Sequence, residues 1–308
     1  MFRKLFGLSQ QKSEETSALI PDALRQSILY SLGLKSVPVM PGSAQQAFRL
    51  ATNPNAEALD YVEVLEADEG LSARVLKIAN SVFYDRGGGS RTIVEAVNVI
   101  GITELKNLLN ATALLNIFPV RHYLRAQFWT HNIATALTAQ VLAQDLFPRA
   151  SDQAFLGGLM HDVGKLLILQ QHLDNYERVV LKGLVDGLES AAAEVREYPF
   201  DHTDVGQLVA EKWNFSPELY DVIAHHHKPW ADIERGSLTG LVKVSDILVH
   251  SSGLGSGRDS GMYRKIYAPL LDEAWEFLAI PSKEQKRLLQ EASRSFDMEY
   301  QTYESWGR

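Results

Sequence analysis

Apolar residues recur at helical spacing along most of this chain, and no convincing series of runs alternates with the period of two that half-buried strands require. Leu71, Val75, Leu76, Ile78 and Ala79 fall on one face in this way. The pattern predicts helices over 42–52, 56–67, 71–81, 92–100 and 103–116, then over 123–146, 152–171, 173–187, 202–213, 217–227 and 238–252. The expected fold class is therefore all-α, a multi-helical bundle with no internal repeat. Ser36-Val37-Pro38-Val39-Met40-Pro41 reads as an extended entry, because each proline disfavours helix at the residue before it. Ser151 is placed to cap the helix that carries His161, and Ser216-Pro217-Glu218 marks another start. Asp201 with Asp204 resembles a capping box. Pro281 opens a helix in the last segment.

A break at Phe118-Pro119-Val120 separates a front half from a histidine-bearing back half. The expected organisation is a polar lead-in over 1–20, a domain over 21–255 divided into 21–118 and 119–255, and a helical extension over 256–308. The chain has no cysteine, which excludes disulfides, thiolate metal sites and cysteine nucleophiles. Its net charge of −8 and the lack of a Lys/Arg block give no support to nucleic-acid binding. The apolar start at Met1 is too short for a signal peptide, and no run nears the roughly 20 apolar residues that cross a bilayer. A cytoplasmic location and no membrane partner are expected.

Against this background His161-Asp162 stands out, an imidazole and a carboxylate side by side in apolar surroundings within Gly157-Gly158-Leu159-Met160-His161-Asp162-Val163-Gly164-Lys165. Compatible groups lie far along the chain at His131, His202, His226, His227 and Asp246. Imidazole and carboxylate together suit a divalent transition metal, Fe or Mn first and Ni or Zn as well. On a continuous helix His161 and Asp162 lie about 100° apart, so both reach one point only if it sits between their faces. Lys165 falls near the side of Asp162 and is placed to contact a bound anion. His202 stands at a helix start, where backbone N–H groups favour anions. Taken singly, each of these residues is more often a hydrogen-bonded core group than a ligand, and spacing alone leaves the choice open. His225 competes with His227 for a place in the set. His250, four residues after Asp246, shares its helical face but is set aside. His122 and His172 read as solvated or capping residues, and Trp129 and Trp213 as core aromatics. Asp85 to Arg91 is glycine-rich without phosphate-loop spacing.

Gly158-Leu159-Met160-His161-Asp162-Val163-Gly164-Lys165 resembles the signature of the HD superfamily of metal-dependent phosphohydrolases. More specifically, the chain resembles the HDOD family, the HD-related output domain of bacterial signalling proteins, from about residue 20 to 255. The likeness also rests on Asp68 through Asn80-Ser81, on Ala96-Val97-Asn98-Val99-Ile100-Gly101, on Asp201-His202-Thr203-Asp204-Val205-Gly206 with Trp213, and on His226-His227-Lys228-Pro229.

The resemblance implies an HD-domain-like bundle behind an N-terminal helical subdomain. It also implies one or two divalent metals held by His131, His161, Asp162, His202, His226, His227 and Asp246, with Asp162 bridging. In the related HD-GYP phosphodiesterases such a centre activates water and clamps phosphoryl oxygens, with catalytic roles falling to Asp162 and Lys165 here. The chain departs from that family: no Gly-Tyr-Pro follows the His pair, Tyr198-Pro199 precedes His202 instead, and Lys228 stands where an acidic residue is usual. Recognition of a cyclic dinucleotide is not expected. The first reading is a regulatory signalling module acting through a partner protein; the second is a metal-dependent phosphohydrolase with a nucleotide or other phosphoester ligand. No receiver, kinase or DNA-binding segment is recognisable, so the partner is expected to be a separate protein.

Overall fold

The computed structural model describes residues 19–40, 42–51, 56–81, 84, 87–255 and 257–307. Most of the expected polar lead-in, Pro41, and Asp85 and Arg86 of the glycine-rich loop lie outside the described residues. Among those described there is no strand; the fold is all-α. It divides into two compact units, one of residues 19–39 and 120–300, the other of residues 40–119 and 301–307.

The second unit holds α2 (Gly42–Ala51), α3 (Ala58–Glu66), α4 (Glu69–Ala79), α5 (Ile93–Ile100) and α6 (Ile102–Ile117). Asp68 caps α4 by accepting from the backbone N–H of Gly70 and Leu71. Thr92 and Glu95 form a capping box at α5. Asn80 acts across the connection between these helices. Its amide donates to Ser90 O at 2.8 Å and its oxygen accepts from Ser90 N at 2.5 Å, so both backbone groups of Ser90 are satisfied by one side chain.

The first unit is built around α7 (Tyr123–Leu146), α8 (Ser151–Met160) and α14 (Leu238–Ser252), which pack on one another. α7 is buried on nearly every face between Phe128 and Ala143, as befits a helix at the centre of a bundle. Around it lie α1 (Asp22–Ser31), α9 (Val163–Gln171), α10 (Leu173–Asp186), α11 (Ser190–Glu194), α12 (His202–Lys212), α13 (Pro217–His225), α15 (Ser260–Tyr267), α16 (Leu271–Phe277) and α17 (Ser282–Gly307) as far as residue 300. Tyr263, Tyr267, Trp275 and Phe277 enter the same apolar core as Leu241, Val244 and Leu248 of α14. Glu211 receives Arg25 as an ion pair and the Ile20 N–H at 2.9 Å, which ties α1 to α12. Trp213 donates from its indole N–H to Pro38 O at 2.9 Å, so this core aromatic also holds the proline-bracketed entry.

Three local expectations need correction. The single helix expected over 152–171 is broken at His161-Asp162 into α8 and α9, with Asp162 at φ −99° and ψ 18°. Ser151 is the first residue of α8 and makes no side-chain cap, because a short 3₁₀ turn over Pro148–Ala150 leads directly into the helix. α1 and α11 form where no helix was expected. The other anticipated caps are present: Asp201 accepts from the N–H of Thr203 and Asp204 while Asp204 accepts from Asp201 N, and Ser216 accepts from Leu219 N.

Candidate metal centre

Two glycines set the spacing of the helices that carry the site. A Cβ on Gly158 would lie 2.6 Å from the Cα of Ala136, so its absence lets α8 press against α7. A Cβ on Gly164 would collide with the carbonyl oxygen of His202 and lie 2.9 Å from Gly206 N, so α9 and α12 meet backbone to backbone. These close approaches bring His161 and Asp162 between His131 on α7 and His202 on α12.

All seven residues singled out as ligands meet in one buried cluster, and Asp162 is at its middle. Its Oδ1 lies 3.2 Å from His202 Nε2 and 3.7 Å from His226 Nε2. Its Oδ2 lies 3.3 Å from His161 Nε2 and 3.7 Å from His131 Nε2. Asp246 Oδ1 lies 3.0 Å from His131 Nε2 and 3.9 Å from His161 Nε2. Donor atoms of Asp162, His202, His226 and His227 all fall within 4.8 Å of one another, as do those of His131, His161 and Asp162. The three-histidine run is resolved: His226 and His227 face the cluster, whereas His225 turns its Nδ1 to Asp221 at 3.5 Å and is partly exposed. Lys165 is buried and donates to Asp162 Oδ2 at 2.7 Å, so here it meets a carboxylate of its own chain rather than an open anion site.

The outer bonds of the imidazoles fix which nitrogen faces inward. His161 Nδ1 sits 2.7 Å from Gly158 O, and His226 Nδ1 sits 3.0 Å from Val222 O, so each ring gives its N–H to backbone and turns Nε2 to the centre. His202 is held by Glu194, which no reading of the sequence anticipated. Glu194 Oε2 accepts from both Nδ1 and the backbone N–H of His202, each at 2.7 Å, while Oε1 accepts from Tyr176 OH at 2.5 Å. The start of α12 does bind an anion as helix termini favour, and the anion is this carboxylate. The signal available was a lone Glu in Ser190-Ala191-Ala192-Ala193-Glu194-Val195, eight residues before His202. His250, whose spacing paired it with Asp246 but which HD-type sites do not need, is likewise part of the cluster, with Nε2 3.3 Å from Asp246 Oδ1. His122 caps α7, and Trp129 and Trp213 are buried.

Protonation follows from burial and neighbours. Burial lowers the pKa of His131 and, more strongly, of His227, and it takes His226 down to about 4, so these rings are neutral with lone pairs available. His202 is the exception: burial opposes its charge, but Glu194 and Asp162 on opposite sides lift it to about 10. Burial also works against an ionised Asp162, yet His161 and Lys165 beside it hold it well below the usual carboxylate range. Burial opposes the charge of Lys165 as well, and Asp162 more than restores it.

The donor set fits a divalent transition ion. His161 Nε2, Asp162 Oδ1, His227 Nε2 and Asp246 Oδ1 are buried polar atoms with no hydrogen-bond partner, and all four face the cluster. A stranded buried polar atom is costly unless something else satisfies it. Donors about 2.1 Å from one tetrahedral ion lie about 3.4 Å apart, which is the scale of the separations around Asp162. The absence of thiolate leaves the choice among imidazole- and carboxylate-loving metals.

Fold and site together define an all-helical protein of the HD type with a buried His/Asp cluster. The HDOD domain model matches residues 37–229, and the chain belongs to that family. A crystal structure of a candidate signal transduction protein from Marinobacter aquaeolei VT8 superimposes with a TM-score of 0.75 at 22% identity, over 93% of this chain and 64% of that one. An HDOD domain protein of unknown function from Geobacter sulfurreducens gives 0.64 at 19% identity, over 88% and 97%. A candidate phosphohydrolase from Shewanella amazonensis SB2B gives 0.61 at 24% identity, over 89% and 98%. At these identities the likeness establishes the fold. An uncharacterised protein of Treponema pallidum (strain Nichols) is 23% identical over 222 residues, and the match covers 70% of this chain and 42% of that relative. The chain thus spans less than two thirds of both the Treponema relative and the Marinobacter structure. Among the described residues no helix is long and apolar enough to cross a membrane.

Proposed function

We propose that this chain is a cytoplasmic regulatory module of bacterial signalling. In this reading the His/Asp cluster holds one or two divalent transition ions, Fe or Mn by preference, through His131, His161, Asp162, His202, His226, His227 and Asp246. The centre braces the helices and reports their state to a signalling partner. The observation that carries this reading is burial. Side-chain exposure is 0–6% for six of these residues and 15% for His227, so the donors are presented to one another far more than to an incoming molecule.

A second reading is favoured by a different observation. The two oxygens of Asp162 address different groups of donors, which is how a carboxylate bridges a two-metal hydrolytic centre. On that reading the chain is a metal-dependent phosphohydrolase acting on a nucleotide or other phosphoester, and Lys165 turns from Asp162 to oppose developing negative charge. Elemental analysis of purified protein beside Asp162→Ala, followed by a phosphoester panel with Mn or Fe, separates the two. The regulatory reading expects stoichiometric metal in the wild type, less in the variant, and no turnover of nucleotides, cyclic nucleotides or generic phosphoesters. Turnover that disappears in Asp162→Ala establishes the hydrolase instead, and a metal-free wild type ends both readings.

A further inference from the structure

α14 carries two buried polar side chains one turn apart, Asp246 and His250, on a helix whose other inward residues are almost all apolar. His250 Nε2 lies 3.3 Å from Asp246 Oδ1, and His131 Nε2 from α7 lies 3.0 Å from the same oxygen. The two rings stack at 4.1 Å with planes 14° apart. Both therefore present an edge to one carboxylate oxygen. Yet Asp246 Oδ1 has no hydrogen-bond partner, and neither do Nδ1 and Nε2 of His250. The nitrogens come close enough to donate and are not aimed to do so.

A packing role accounts for part of this. His250 also stacks on Tyr263 at 4.5 Å and Tyr267 at 4.3 Å, so the ring fills a slot between α7 and α15. An aromatic hydrocarbon would fill that slot without stranding two nitrogens, each at a cost of about 1–3 kcal/mol. What packing does not explain is convergence. The donor atoms of His131, Asp246 and His250 lie within 4.8 Å of one another without hydrogen-bonding among themselves. Donor atoms that converge without hydrogen-bonding one another are what a shared cation requires.

We propose that His250 is a metal-ligating residue, and that with His131 and Asp246 it bounds a divalent-cation position at the α14 end of the cluster, apart from the position bounded by Asp162, His202, His226 and His227. The inference rests on the reading of the cluster as a metal centre and adds to it a donor from this chain. It also gives α15 a direct tie to that centre, because two of its tyrosines hold the His250 ring.

The test is cobalt binding to the full chain, stripped with chelator and reloaded with Co²⁺. Its readouts are stoichiometry by elemental analysis, the visible absorption of the bound ion, and affinity by competition with a chelator. His250→Phe keeps a ring in the stack and removes both nitrogens; His250→Gln serves as the second variant should the first fail to fold. We expect either variant to weaken one class of site by at least about 10–100-fold and to change the cobalt spectrum, since even groups behind the direct ligands have effects of that size. The remaining class is retained, and thermal unfolding in chelator stays close to that of the wild type. A variant with wild-type stoichiometry, affinity and spectrum assigns His250 to packing alone and overturns the inference while leaving the metal centre standing. A wild type that binds no cobalt overturns both.

Discussion

Replacing Glu194 tests whether the cluster is held together from outside. The carboxylate accepts from His202 N, His202 Nδ1 and Tyr176 OH, all in the buried interior. Glu194→Ala strands three donors at once. Each costs about 1–3 kcal/mol when left unmade, but local relaxation makes them less than additive. Removing one partner from a buried charged pair costs about 3–5 kcal/mol, and that is the loss expected here. Glu194→Gln keeps the shape and an oxygen for both His202 donors, while the Tyr176 hydroxyl can rotate to accept from the new amide. It removes only charge assistance, a loss of about 2 kcal/mol. The pH dependence has a definite sign. His202 is raised from 6.5 to about 10 in the fold, so the stability it draws from Glu194 is full below about pH 6.5 and lost as pH rises through about 10. The gap between wild type and Glu194→Gln in metal-free protein should therefore be widest at pH 6 to 6.5 and close toward pH 10. Urea unfolding with chelator present, followed by tryptophan fluorescence at several pH values, measures both quantities, with an unchanged m-value as the check on two-state behaviour. A Glu194→Ala protein within about 0.5 kcal/mol of wild type, the range of ordinary surface changes, would refute the reasoning, and so would a Glu194→Gln gap that is flat from pH 6 to 10.

Two further expectations follow from the geometry. Gly164→Ala puts a methyl group against the carbonyl oxygen of His202, and because the obstacle is backbone the helices must part. Urea unfolding should register a loss of about 1–3 kcal/mol or more, and elemental analysis a fall in retained metal. His225→Ala removes the one member of the histidine run that faces Asp221 instead of the cluster. It should leave metal content unchanged and stability within about 0.5 kcal/mol, and a loss of metal would show that the ring turns inward on loading.

Much of the fold was legible because helix boundaries here are written in local chemistry. The Asp201–Asp204 box and the Ser216-Pro217 start were readable as such, since a cap is a contact between residues two or three apart. What failed was of two kinds. Ser151 looked like a cap, but Pro148 seeded a 3₁₀ turn just before it, and the serine became an interior residue of the first turn. Glu194 was overlooked because its partners lie 8 and 18 residues away, at His202 and Tyr176, on helices whose crossing no local pattern encodes. His250 was set aside because HD-type sites do not need it: its spacing from Asp246 was visible, but the stack with His131, which joins α14 to α7 across more than a hundred residues of chain, was not.

The break at His161-Asp162 joins these local and distant levels. On an unbroken helix the two side chains diverge by about 100°, which made a common target look awkward from sequence. The chain solves this by ending α8 at Met160 and starting α9 at Val163, with Asp162 in a non-helical conformation between them. The carboxylate is thereby turned so that Oδ1 meets His202 and His226 while Oδ2 meets His161, His131 and Lys165. Gly158 and Gly164 flank the break at nearly equal distances, and each is the point where a neighbouring helix comes close enough to supply its histidine. The motif is therefore a packing device as much as a donor set. Its glycines set the distances, its broken helix sets the angle, and the aspartate at the break is the residue through which the two groups of donors are electrostatically joined.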